Sequence, residues 1–125
     1  MIQGFAHIGL FIRDIEISKA FYCEKLGFCV VSETENLDGT KISMVQNGDC
    51  MVELVQLPGY DGYTDGFVNH FAMKVANMSE AKAELEAKGI QFEMEQPVRS
   101  NVFNGINFLM FRGPDGEHLE IDELL

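Results

Sequence analysis

His7-Ile-Gly-Leu-Phe-Ile-Arg-Asp14 and His70-Phe-Ala-Met-Lys-Val-Ala-Asn77 read as two copies of one stretch, 63 residues apart at both ends. The register persists beyond them: Lys19 aligns with Lys82 and Lys25 with Lys88, and Gly27 and Gly89 close the helical patterns that follow. Glu53 and Glu120, 67 residues apart, stand near the end of each copy, as expected where loops differ by a few residues. Repeats of this length usually come as arrays of many copies, whereas two copies point to a duplicated half-domain.

Within each copy the patterning is strand, helix, then three strands. Phe5 to Ile12 alternates as a strand, and an amphipathic helix runs from Asp14, its N-cap, through Leu26 to the stop at Gly27. Phe28 to Thr34, Thr40 to Gln46 and Met51 to Gln56 follow as strands, with Asp38-Gly39 and Asn47-Gly48-Asp49 as hairpin turns. The second copy predicts a strand from Asn69 to Val75, a helix from Ser79 to Lys88, and strands near Gln91–Glu95, Gly105–Phe111 and His118–Ile121. The expected fold is α+β: two βαβββ repeats, about 1–57 and 68–125, forming a curved, partly closed eight-stranded sheet in a single domain spanning 1–125. The connector 58–67 carries Pro58-Gly-Tyr-Asp-Gly-Tyr-Thr-Asp-Gly66 and reads as a linker or a lid. Pro97 to Asn104 reads as a surface loop.

Alternation along strands places the histidines and glutamates. Ile8, Leu10 and Ile12 make one apolar face, leaving His7, Gly9 and Phe11 on the other; Phe71, Met73 and Val75 leave His70, Ala72 and Lys74 in the matching positions. Val52 and Leu54 flank Glu53, and Leu119 and Ile121 flank Glu120, so each carboxylate points to the side its histidine uses. Two imidazoles and two carboxylates, one of each per copy, are a donor set for a divalent transition metal, and a lone carboxylate on an inner face is costly to desolvate without a cation. His118 shares the parity of Glu120, but nothing near Glu53 matches it, so it reads as a non-ligand.

Composition narrows the function classes. A chain of 125 residues has room for one core. A net charge of −11 disfavours nucleic acid, whose binding requires clustered Lys and Arg. No membrane span and no leader pattern is evident, so a cytoplasmic protein is expected. Cys23, Cys29 and Cys50 form an odd set without C-x-x-C spacing, read as buried reduced thiols.

These residues in this duplication resemble the vicinal oxygen chelate superfamily, also called the glyoxalase, bleomycin-resistance and dioxygenase fold. The carriers are His7-Ile-Gly-Leu with Asp14, Phe21-Tyr22 before Lys25-Leu-Gly-Phe28, Glu53-Leu54, Asn69-His70 and Gly113-Pro-Asp-Gly-Glu-His-Leu-Glu120. The resemblance is nearest to glyoxalase I and implies a metal centre of His7, Glu53, His70 and Glu120. It implies one divalent ion per site, nickel or zinc foremost, with cobalt, manganese and iron also suited. Its reaction would isomerise an α-oxoaldehyde–thiol hemithioacetal to a 2-hydroxyacyl thioester through an enediolate, Glu120 acting as base with Glu53 as partner. The partners implied are a small-molecule substrate, such as a thiol adduct, and a second copy in a homodimer.

Two positions depart from the glyoxalase I pattern. Phe11 stands where an arginine holds glutathione's carboxylate, and Leu57 where an asparagine assists it. Lys74, Arg99 and Arg112 are the remaining candidates for holding an anion. The alternatives are a 2-substituted malonyl-thioester epimerase, a fosfomycin-type thiol transferase, or a non-catalytic dimer that binds an aromatic drug or ligand with Phe5, Phe11, Phe103 and Phe108.

Overall fold

The structure is a computed structural model and describes residues 1, 3–62, 66 and 68–125. It divides into two compact units, residues 1–63 and 64–125, and each is a complete βαβββ motif. Connector positions 63–65 and 67 lie outside the described residues.

In the first unit, β1 (Ile8–Phe11) leads into α1 (Ile15–Ala20), followed by β2 (Cys29–Glu35), β3 (Lys41–Asn47) and β4 (Cys50–Gln56). The sheet order is β1-β4-β3-β2, with β1 parallel to β4 and the other pairs antiparallel. The helix supplies the crossover that a parallel pair requires. Asp14 caps α1 as expected, its Oδ1 accepting from the amides of Glu16 at 2.9 Å and Ile17 at 3.2 Å. Asp14→Ala is expected to lower stability by about 1 kcal/mol, read as a reduced denaturant midpoint with an unchanged slope.

The regular α-helix ends at Ala20 rather than Leu26, and a π-helical turn, Phe21–Lys25, takes its place. The widened turn puts the adjacent Phe21 and Tyr22 both in the core, where Tyr22 meets Phe21 and Phe28 edge-on at 5.2 and 5.4 Å. Val45, Val52 and Leu54 complete the apolar layer.

The second unit repeats the plan with β5 (Phe71–Lys74), α2 (Met78–Ala87), β6 (Val98–Ser100), β7 (Ile106–Arg112) and β8 (His118–Leu124), in the order β5-β8-β7-β6. Asn77 caps α2 through the Glu80 amide at 2.9 Å. Met78, Leu85, Leu109, Phe111, Leu119 and Ile121 fill its core. The eight strands thus divide four to each unit.

Three expectations are revised. The second strand of the second copy is β6 rather than Gln91–Glu95, where among the described residues only Phe92 bridges to Phe111. The stretch Pro97–Asn104 is correspondingly no plain loop, since it holds β6 and a short 3-10 turn. The cysteines are free thiols but not buried: Cys29 is exposed and Cys23 and Cys50 are half-buried. Cys29 opens β2, an edge strand whose residues are all exposed.

Candidate metal centre

Each histidine sits one residue before its strand, and each glutamate lies on the neighbouring parallel strand. In the first unit Gly9 pairs with Glu53, so His7 and Glu53 occupy the same sheet face, and His7 Nε2 lies 3.9 Å from Glu53 Oε1. Gly9 makes this approach feasible, because a Cβ there would stand 3.3 Å from the same oxygen. In the second unit Ala72 pairs with Glu120, and His70 Nε2 lies 3.3 Å from Glu120 Oε2. A methionine flanks each glutamate on the third strand, Met44 opposite Glu53 and Met110 opposite Glu120.

The frames behind the two pairs correspond as well. Ile12 N donates to Val55 O at 2.9 Å and Val75 N to Asp122 O at 2.8 Å, tying each first strand to the strand that bears the glutamate. Three residues after each glutamate a side chain accepts the first amide of the helix: Gln56 from Ile15 at 2.7 Å, Glu123 from Met78. Each glutamate-bearing strand is therefore tied both to the end of its unit's first strand and to the start of the helix that follows.

The second unit carries more charge. Glu120 is 8% exposed, and burial, followed by a hydrogen bond and charge from Asp122, pushes its carboxyl up to about 8. Asp122 lies two residues beyond Glu120 on the same face, opposite Lys74. His118, set aside from sequence alone, stands beside His70 with ring centres 6.1 Å apart. Its Nε2 contacts Glu93 Oε2 at 3.0 Å, and Glu93 Oε1 accepts from Arg112 Nε at 3.1 Å.

Asp122 and Glu93 were missed from sequence. Parity would have found Asp122, but the strand was expected to end at Ile121. Lys74 and Arg112 each stand two residues from Glu120 in register, Lys74 opposite Asp122 and Arg112 opposite His118; Arg112 is engaged by Glu93 and Gly116 O, and the Arg99 guanidinium packs against Gly105.

Asp122 Oδ1 and His118 Nδ1 are buried without a hydrogen-bond partner, and Glu120 is held in a site that disfavours its charge. A cation beside Glu120 would offset that penalty, and an imidazole facing a carboxylate in each unit is borderline nitrogen and oxygen chemistry suited to such ions. Among the described residues no three His, Cys, Asp or Glu side chains gather as a ready-made centre. Each unit holds one imidazole–carboxylate pair.

The family model described as "Glyoxalase/Bleomycin resistance protein/Dioxygenase superfamily" matches residues 4–121. The chain belongs to this superfamily. Within the superfamily it is similar to the uncharacterized protein YwkD of Bacillus subtilis (strain 168), 33% identical with 98% of both chains covered. A glyoxalase family protein from Enterococcus faecalis superimposes with a TM-score of 0.83 at 26% identity, covering 97% of this chain and 98% of that one. The fosfomycin resistance protein FosX of Listeria monocytogenes, solved with Mn(II) and sulfate, shares the fold at a TM-score of 0.77 and 16% identity, over 100% of this chain and 95% of that one. The glyoxalase-like βαβββ duplication is thus established for this chain. No helix among the described residues is long and apolar enough to cross a membrane.

Proposed function

We propose that this superfamily member is a divalent-metal enzyme of the glyoxalase I type, a lyase or isomerase, with His7, Glu53, His70 and Glu120 holding the ion. The observation that carries the reading is the repeated pair: in each unit an imidazole Nε2 faces a carboxylate oxygen, at 3.9 and 3.3 Å, from matching positions of a parallel strand pair. The Mn(II) in FosX supports a divalent ion in this fold. Nickel and zinc suit the donor set best, with cobalt, manganese and iron also compatible.

When bound, the ion supplies Lewis acidity to two neighbouring substrate oxygens. The chain's own residues move the proton. Glu120, buried on β8, removes a proton from carbon beside a carbonyl and returns it to the adjacent carbon, a transfer worth about 10²–10⁴-fold in rate. Glu53, half-exposed beside Gly9, is its counterpart in the first unit. The substrate is a small molecule with vicinal oxygens, and a hemithioacetal meets that description. Two units form one domain, two chains form a homodimer, and the protein works in the cytoplasm.

Protein purified without added metal is expected to retain close to one ion per site, to lose turnover in chelator and to regain it with nickel or zinc. Methylglyoxal tested with glutathione and with uncharged thiols measures thioester formation. Absence of turnover with every hemithioacetal, in a protein that holds its ion, would remove the lyase assignment and leave a fosfomycin-type transferase or a malonyl-thioester epimerase. A metal-free protein indifferent to chelator would leave the drug- or ligand-binding dimer.

A further inference from the structure

The geometry points to a subsite in the first unit, formed by Phe11 and Tyr60 beside Glu53, that takes an uncharged aromatic or branched apolar group at the non-reacting end of the substrate. The inference rests on the proposed metal site and adds a substrate class to it.

One step along the sheet from Glu53, on the same face, is Val55, with Phe11 of β1 on one side and Ile42 of β3 on the other. All three are apolar. Phe11 is 58% exposed although it belongs to a strand, and its ring meets Tyr60 at 5.9 Å with the planes inclined by 54°. Tyr60 reaches it because the turn after β4 closes through Tyr60 N donating to Leu57 O at 3.2 Å. The two rings make an aromatic corner at the end of β1.

In register with Glu53, and two residues before Phe11 on β1, is Gly9, which presents no side chain. Val55, two residues from Glu53 on the same face and so about 7 Å from it, is in register with Phe11, so a group held at the Glu53 carboxylate would bring its substituent to the Phe11 ring. Among the described residues of this face, from His7 to Phe11 on one side to Ile42 and Met44 on the other, there is neither Lys nor Arg. An anionic substituent there would lose water without gaining a cation. The equivalent positions of the second unit are Lys74, Phe108 and Asp122, so the apolar character belongs to one copy and is not imposed by the repeat.

The test uses the full-length, metal-loaded protein and two probes with the same metal-binding head, acetohydroxamate and benzohydroxamate, titrated calorimetrically. Benzohydroxamate is expected to bind at least tenfold more tightly, and Phe11→Ala to reduce that preference below about threefold while leaving acetohydroxamate affinity unchanged. Phe11→Arg is expected to shift preference toward succinate monohydroxamate, whose far end is anionic. Phe11 is exposed, so both variants should retain the parent's unfolding midpoint to within a few degrees. Equal affinity of the parent protein for acetohydroxamate and benzohydroxamate, with both bound, overturns the subsite and leaves the metal site standing. Failure to bind either probe overturns both.

Discussion

Glu120→Gln is expected to lower turnover by about 10²–10⁴-fold and to weaken metal binding by at least about tenfold, while making the metal-free protein more stable at pH 8. The opposite signs share one origin. In the absence of an ion, the Glu120 carboxyl is held up at about 8 by burial and by Asp122. Folding then binds a proton that the unfolded chain releases in the ordinary carboxylate range. The associated stability is complete below that range and is lost as pH rises toward about 8. Chelator-treated wild-type protein should therefore show a falling thermal midpoint from pH 5 to pH 8.5. Glutamine keeps the shape and a hydrogen-bonding group beside Asp122 but carries no charge at any pH, so the variant's midpoint should fall less over the same interval. Metal loading should flatten the wild-type profile similarly, because the cation stabilises the ionised carboxylate. A wild-type midpoint that is level or rising across the interval would contradict a buried carboxyl poised in this way. Unchanged metal affinity in the variant would remove Glu120 from the ligand set.

The repeat was legible because it is written in strand parity, which survives changes in loop length. His7 with Gly9 and His70 with Ala72 fall on the faces that alternation assigns, and both histidine–carboxylate pairs form as that assignment requires. What alternation could not show was where hydrogen bonding stops. Phe92 and Met94 alternate as a strand would, and Glu93 N does donate to Met110 O at 2.8 Å. The return bond from Met110 N goes instead to Met94 Sδ at 3.2 Å, so the ladder does not propagate. The Glu93 side chain turns to His118 and Arg112, joining the neighbourhood of Glu120. The strand bearing Glu120 was expected to end at Ile121, but the ladder continues to Leu124 opposite Ile106, which brings Asp122 onto its face. The contact of Tyr60 with Phe11 was not legible for another reason: a glycine- and aspartate-rich connector gives no sign that a ring turns back onto the sheet.

The turn before Glu120 should be as sensitive to substitution as the site itself, and Gly113→Ala is expected to cost about 2–3 kcal/mol of stability. Gly113 N donates to Glu117 O and Gly116 N to Gly113 O, both at 2.9 Å, closing Gly113-Pro-Asp-Gly116 into a compact loop at the start of β8. The Glu117 side chain folds back into this loop, 7% exposed, with Oε1 accepting from Asp115 N at 2.9 Å. A Cβ on Gly113 would stand 2.2 Å from both Cδ and Oε1 of Glu117, so the two cannot coexist in this arrangement. Either the carboxylate leaves its seat and the Asp115 amide loses its acceptor, or the backbone shifts at the residue preceding His118. Displacement of β8 would move Glu120, so metal affinity should fall along with the thermal midpoint, the latter by on the order of 10 °C. Glu117→Ala removes the obstructing group, and the double variant should lose less stability than the two single changes together, with a coupling above about 0.5 kcal/mol. Strict additivity would mean that the glycine is required for a reason other than room for Glu117.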